Sequence, residues 1–273
     1  MKGMKAAVYA NDSLLLSELL GRIEEELPLL EVNIYSSEDF LPAIAAEKPA
    51  YEAKNIKNLG DEEIAIVLGD PGIHAEEIRK LDASLIDCTG IFSGYDDLYE
   101  VKEPVEYITD RFKGDKTKVR GSLMMPAALF GKNAIDDLIS QTRNLFSFGR
   151  DRSKVFEERI AFNVLLGGDD SSNIMSGYKK RLEEVTGMSL NFRIIPVSTV
   201  FLADFFMEDG TEFTGDEDGI FYEYASFNLE EAMEQGGIGV IKHPSGNMVS
   251  FTGDYIKVLT EQIIRYLKEL TGE

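Results

Sequence analysis

Short apolar runs alternating with helix-period stripes dominate the N-terminal part of the chain. Met4 to Ala10 is an apolar run of strand length. Asn11, Asp12 and Ser13 can cap a helix through Glu26, in which Leu15, Leu16, Leu19, Leu20 and Ile23 form an apolar stripe. Glu31 to Ser36 alternates around Val32 and Ile34 and predicts a second strand, and Ile64 to Leu68 predicts a third. The turn from Gly69 to Gly72 leads into a helix near Ile73 to Leu81 and a fourth strand at Ser84 to Asp87. Strands that alternate with helices imply right-handed crossovers and a mainly parallel sheet.

The pattern changes after a junction between Tyr107 and Pro126, within which Arg111 to Lys118 reads as a charged, solvated loop. Val119 to Met125 predicts a strand. Ile160 to Leu166 is an apolar run too short for a typical helix, closed by Gly167 and Gly168, and reads as a buried strand. Ser176 to Gly187 is helix-like, and Leu190 to Val197 alternates as a strand with Pro196 near its end. Gly239 to Phe251 reads as one or two strands around a turn at Ser245 to Asn247. Asp254 to Leu270 is an amphipathic helix carrying Ile256, Leu259, Ile263, Leu267 and Leu270.

At 273 residues the chain can bury a sizeable core and is long enough for two domains. Its 49 acidic against 28 basic residues give a net charge of −21, which would repel phosphate backbones and anionic lipid, so neither nucleic acid nor membrane is an expected partner. One cysteine excludes an internal disulfide. Together with the lack of a signal-like start or a long apolar run, it points to a soluble cytoplasmic protein. No internal repeat or low-complexity segment stands out.

Three segments carry a more specific signal: ERIAFNVLLGG, then GYKKRLEEVTG, then FRIIPVSTVFLADFF. In this order they resemble the dimerisation domain of the aspartate-semialdehyde dehydrogenase family, with its IAFN strand, GY-initiated helix and R-x-P-V strand. Ile86 to Ser93 (IDCTGIFS) is similar to that family's strand-ending I-D-N-S-S-A-F-R. The resemblance implies an α/β fold with an α+β second domain. A Rossmann-like domain would comprise residues 1–118 and 253–273, and a dimerisation domain residues 119–252. It also implies a homodimer and, for active members, NADP as cofactor.

The chemistry of the family is not matched. On the family's G-A-T-G-x-V-G turn the glycine positions hold Tyr9, Asp12 and Leu15, and Asp12 puts a negative charge where a phosphate would sit. Either Asp12 or Ser13 simply caps a helix in a domain that holds no nucleotide, or the cofactor site is rearranged around Ser13, Cys88 and Thr89. Cys88, at the asparagine position of the strand-ending motif, has mainly Asp87 as a local charge and reads as an inert, partly buried thiol. The segment matching the catalytic P-N-C-S-T runs from Met124 to Leu129, with Pro126 and Ala128 at degenerate positions and Ser122 the nearest hydroxyl. The P-V-x-x-G-H motif corresponds to Pro196 to Phe201, and the phenyl of Phe201 cannot transfer a proton. The family's D-N-L-R-K-G-A-A turn near the cofactor corresponds to Asp254 to Leu259, which is bulky.

Other candidates are weaker. His74 follows a glycine-containing turn and reads as solvated or capping, and His243 lies in a late strand-to-turn segment. The acidic run Glu208 to Asp218 lacks EF-hand spacing and reads as a solvated hairpin loop, so no metal is expected. Gly131-Lys132-Asn133 lacks the elements of a Walker loop. The combined losses imply a non-catalytic homologue with no cofactor, acting as a dimeric binding, scaffolding or regulatory protein. The alternative is an oxidoreductase or an enzyme of another class, related to amino-acid biosynthesis, with Cys88, His243 or acidic residues forming a new small-molecule site in the interdomain cleft.

Overall fold

A computed structural model of the chain describes residues 4–42, 44, 51–60, 62–148, 155–156, 158–167, 174–215, 220–224, 231, 234 and 236–273. The chain forms two units. One comprises Met1–Lys102 with Leu259–Glu273, and the other Glu103–Val258.

The first unit is built on β1 (Lys5–Tyr9), α1 (Ser13–Glu26), β2 (Glu31–Ser36), β3 (Ala53–Asn55), β4 (Ile64–Val67), α2 (Ala75–Arg79), β5 (Ser84–Asp87) and β6 (Leu98–Glu100). Its six strands lie in the order β3-β2-β1-β4-β5-β6, and every pairing is parallel. This is the strand order of a doubly wound, Rossmann-like sheet. Residues 6–9 and 64–67 are all buried, which is why β1 and β4 read as continuous apolar runs rather than alternating ones. The expected helix α1 has the predicted limits and buries Leu16, Leu19, Leu20 and Ile23. Strands β3 and β6 escape the sequence pattern. Each is three residues long, too short to show a period, and each closes an edge of the sheet.

The second unit contains α3 (Pro104–Thr109), β7 (Phe112–Lys113), β8 (Val119–Met125), α4 (Lys132–Ser147), β9 (Leu165–Leu166), α5 (Ile174–Thr186), β10 (Ser189–Ile194), β11 (Val200–Met207), β12 (Glu212–Phe213), β13 (Phe221–Glu223), β14 (Ile238–Lys242) and β15 (Met248–Asp254). A seven-stranded mixed sheet runs β13-β14-β15-β11-β8-β10-β9, with β8 and β10 parallel and β11 antiparallel to β8 and β15. Alternation is clear here. Leu123, Met125, Phe201, Ala203, Phe205, Phe192, Ile194 and Phe251 are buried on one face, while Ser122, Met124, Leu202, Asp204, Arg193 and Ser250 are only partly buried on the other.

Two readings of the sequence need correction. Ile160 to Leu166 is not a buried strand: only Leu165 and Leu166 pair with β10. Gln141 Oε1 accepts from the Ile160 and Ala161 N–H groups at 2.9 and 3.1 Å, taking the donors a ladder would need. Phe162 then turns the chain at φ 55° and is 69% exposed. The link from Arg111 to Lys118 is not wholly solvated either, because Phe112 is buried against Phe205, Phe213 and Phe251 with ring centroids 5.2, 5.6 and 6.4 Å away. Gly114 turns beside it, where a Cβ would come within 2.3 Å of the Gly210 carbonyl oxygen. Of the acidic run, Glu208 to Gly210 forms a turn into β12, and residues 216–218 lie outside the described residues, as does Gly168.

The C-terminal helix α6 (Tyr255–Thr271) is capped by Asp254, whose Oδ1 accepts from Ile256 N and Lys257 N at 3.0 and 3.1 Å while Oδ2 accepts from the Thr199 hydroxyl at 2.6 Å. Its later turns belong to the first unit. There Gln262 brackets Lys102 through both backbone groups, and Glu26 on α1 accepts from Lys268 at 2.6 Å.

Phe251 lies at the centre of the aromatic cluster, fully buried and 5.0 to 6.1 Å from the rings of Phe205, Phe213 and Phe221. Phe251→Ala should destabilise the second unit by about 3–5 kcal/mol. The expected readout is a lower urea midpoint with an unchanged dependence on denaturant.

Candidate functional site

Ligands of open parallel sheets collect at the carboxyl ends of the strands, where the strand order reverses. In this sheet that place lies between β1 and β4. Asp12 is extended (φ −138°, ψ 143°), and its Oδ1 accepts from Leu14 N at 2.7 Å, so the carboxylate caps α1 and takes an N–H that an anion would use. Tyr9 is buried among Ala7, Tyr35 and Val67, and burial pushes its phenol above the usual range. Ser13 is buried and Leu15 partly so. The close backbone approach expected of the first turn occurs instead at Gly69, where a Cβ would lie 2.0 Å from Asn11 Oδ1. The chain's own Asn11 amide fills that space and donates to the Asp70 carbonyl at 3.2 Å.

Beside it, the end of β5 is organised by Asp87, which is fully buried. Its Oδ1 accepts from Thr89 N and Thr89 Oγ1 at 2.7 and 2.5 Å, and its Oδ2 from Phe92 N at 3.1 Å. The Thr89 hydroxyl is therefore engaged in the loop. Cys88 is partly buried, and burial, reinforced by Asp87, pushes its thiol well above the usual range.

In the second unit the structure brings together the two segments matched to nucleophile and base. Pro126 leads from β8 into a tight turn, and Ala127 N donates to Val197 O at 3.0 Å while Ala128 N donates to Ser198 O at 2.9 Å. Pro126, Ala127 and Ala128 are buried, and Phe201 is fully buried in β11. These side chains have no atom that can attack a carbonyl or carry a proton, and the two N–H groups are already bonded to carbonyl oxygens. Ser122, the nearest hydroxyl, sits on the opposite, half-buried face of β8 and accepts from Arg193 Nη1 at 2.9 Å.

That half-buried face carries a polar row that no local motif marks. Asp204 is in register with both Ser122 and Ser250. The Ser250 hydroxyl donates to Asp204 Oδ1 at 2.5 Å, and His243 Nε2 lies 3.0 Å from Ser250 Oγ. A serine whose proton points to an aspartate is not poised to pass it to histidine, so the arrangement orients His243 rather than activating Ser250. The only signal for the row in the sequence is every second residue of β8, β11 and β15 set side by side.

His74 lies in the other unit, beside the short helix α2, with its ring largely buried and Nδ1 3.8 Å from Glu77. A further titratable cluster joins α3 to α5. Arg181 binds Glu103 at 2.7 Å and Glu106 at 2.9 Å, its guanidinium stands 5.3 Å from the Tyr178 ring centroid, and Tyr178 donates to Glu103. Burial pushes Glu103 up against the pull of Arg181. Among the described residues no three His, Cys, Asp or Glu side chains converge as a metal would require, and no helix is long and apolar enough to cross a membrane.

No protein-family model matches the chain, and neither does any curated protein. Solved structures do. The chain superimposes on aspartate-semialdehyde dehydrogenase II from Vibrio cholerae with a TM-score of 0.73 at 15% identity, over 97% of this chain and 98% of that one. A probable aspartate-semialdehyde dehydrogenase from Pseudomonas aeruginosa matches with a TM-score of 0.69 at 13% identity, over 97% and 99%. The enzyme from Francisella tularensis matches with 0.63 at 12% identity, over 98% and 99%. The chain thus has the fold of the aspartate-semialdehyde dehydrogenases from end to end.

The raised Cys88 thiol is neutral throughout the neutral pH range, and only the thiolate reacts with disulfide reagents. Native protein at pH 8 should therefore react with dithionitrobenzoate at least about tenfold more slowly than protein unfolded in guanidinium. Equal rates would show that the thiol is accessible and ordinary.

Proposed function

We propose that this chain is a non-catalytic protein on the aspartate-semialdehyde dehydrogenase fold, acting as a dimeric binding or regulatory protein in the cytoplasm, within amino-acid biosynthesis. The observation that carries the reading is the junction of Pro126–Ala128 with Val197–Ser198. Where thiol chemistry would require a nucleophile, a base and free N–H donors, this chain has buried apolar side chains and mutual backbone hydrogen bonds. The capping role of Asp12 and the packing of Asn11 on Gly69 support the same conclusion for the cofactor. A pyrophosphate would meet a carboxylate and a filled cradle, so the residues present do not fit NADP.

Purified protein should form no NADPH from aspartate semialdehyde, NADP and phosphate above the no-enzyme background. Turnover on the order of one per second or faster that vanished in Cys88→Ser would overturn the proposal and make Cys88 the nucleophile.

The half-buried face of the seven-stranded sheet supports a homodimer. It carries Met124, Leu202 and Phe206 alongside the opposite charges Arg193 and Asp204. A two-fold axis lets one protomer's arginine meet its partner's aspartate and the reverse, which is what an isologous contact between two copies requires. Light scattering at micromolar concentration should give twice the 30.5 kDa chain mass. Phe206→Glu, a change at a position already 48% exposed, should shift the population to monomer without loss of secondary structure. A wild-type monomer under these conditions would refute the dimer.

A further inference from the structure

The crossover from β3 to β4 is unusual in its economy. β3 lies at one edge of the sheet and β4 beyond β1, so residues 56–63 have to pass over β2 and β1. Among its described residues the one helical segment is a single tight turn, Ile56–Asn58, where a doubly wound sheet normally carries a full helix. A cavity of about 290 Å³ remains between this crossover and the strands. Four strand residues point into it from one face, Lys5 from β1, Asn33 and Tyr35 from β2, and Lys54 from β3, and Glu62 closes it from the crossover.

The lining is charged at both ends. Glu62 is 6% exposed, and its Oε1 accepts from Tyr35 Oη at 2.6 Å and Asn33 Nδ2 at 3.1 Å, while its Oε2 accepts from Gly60 N at 3.1 Å. A carboxylate has about four acceptor positions, so one is left over. Lys54 Nζ donates to Asn33 Oδ1 at 2.9 Å and stands 5.9 Å from the Tyr35 ring centroid. Among the described residues it has no carboxylate partner, although acids outnumber bases 49 to 28 in this chain. Lys5 Nζ lies nearby, 3.5 Å from Glu31 on the surface. A merely structural role accounts for Glu62, whose three donors fasten the crossover to the sheet. It does not account for an ammonium that has no carboxylate within ion-pair distance among the described residues and converges on the same small space, since a partly buried charge is costly unless something pairs with it.

We propose that this cavity binds a small zwitterion of the α-amino-acid class. The ligand's carboxylate is taken by the Lys54 ammonium, assisted by Lys5, and its ammonium by the unused acceptor position of Glu62 and the Asn33 amide oxygen. The volume lies at the lower end of the range for small-molecule sites, which limits the ligand to a compact side chain. The site is formed by Lys5 at the start of β1, Asn33 and Tyr35 on β2, Lys54 on β3 and the loop before β4, and it uses none of the residues of the first turn from Tyr9 to Leu15. It is therefore independent of the reading given to Ala127, Ala128 and Phe201, and supplies the binding role with a ligand class.

Titration calorimetry of the full-length protein against each of the twenty protein amino acids tests the site, with acetate and methylammonium as single-charge controls. At least one compact amino acid should bind saturably, and both controls at least tenfold more weakly. Lys54→Met, at a partly exposed position that tolerates an uncharged chain of similar length, should weaken binding at least tenfold with an unchanged circular dichroism spectrum. Glu62→Gln should do the same while keeping the shape of the side chain. The proposal is overturned if no amino acid binds, if acetate binds as tightly as the zwitterion, or if binding survives Lys54→Met.

Discussion

A backbone N–H serves a ligand only while the protein itself makes no use of it, and this constraint organises both places where the fold would host chemistry. Ala127 and Ala128 donate to Val197 and Ser198 at 3.0 and 2.9 Å, and Leu14 donates to Asp12 at 2.7 Å. Each bond stabilises its loop and closes the position to an incoming anion. The Pro126 turn depends on this arrangement, because the hydrogen bonds to residues 197 and 198 hold it against the segment that leads into β11. The central strands β8 and β11 are thereby joined beyond their ladder as well as within it.

The same economy appears at three buried carboxylates. Asp87 accepts its donors from the loop that follows it, Asp254 from the first turn of its helix and from Thr199, and Glu62 from Gly60 and two side chains of β2, so each fixes a segment next to a strand. Such a carboxylate is tolerable inside a protein because its lone pairs are largely engaged. Lys54 differs from these groups because its charge faces a neutral amide and an aromatic ring.

The long periodic elements are legible in the sequence alone: the limits of α1 and β8 agree with the pattern, and those of α6 fall within a residue. Strength of period explains this, since each presents several apolar positions to one core. Strands β3, β6 and β9 are not legible because two or three residues show no period. The run at Ile160 misleads for a different reason. Its N–H groups are taken by Gln141, a side chain about twenty positions away whose role no local pattern announces. At the sites, the apolar character of Pro126, Ala128 and Phe201 can be read directly, but the proximity of the Pro126 turn to Val197 and Ser198 cannot. Nor can the Asn11–Gly69 packing, because it joins two loops through a side chain that the local pattern marks only as a cap.

The later turns of the helix after Asp254 are made only after the whole of the second unit, yet they complete the first. The first unit is composed of Met1–Lys102 and Leu259–Glu273, so the sheet of β1 to β6 is synthesised long before the helix turns that bracket Lys102 and bind Arg22 and Glu26. Until residues 259–273 are made, the buried contribution of Ile263, Ile264 and Leu267 to the first unit is missing, while the whole of Glu103–Val258 is being added. Contacts that far apart in sequence form late and slowly. The nascent chain therefore passes through a stage in which its N-terminal sheet is complete in strands but lacks its last helix, and surface exposed at such a stage is prone to aggregate.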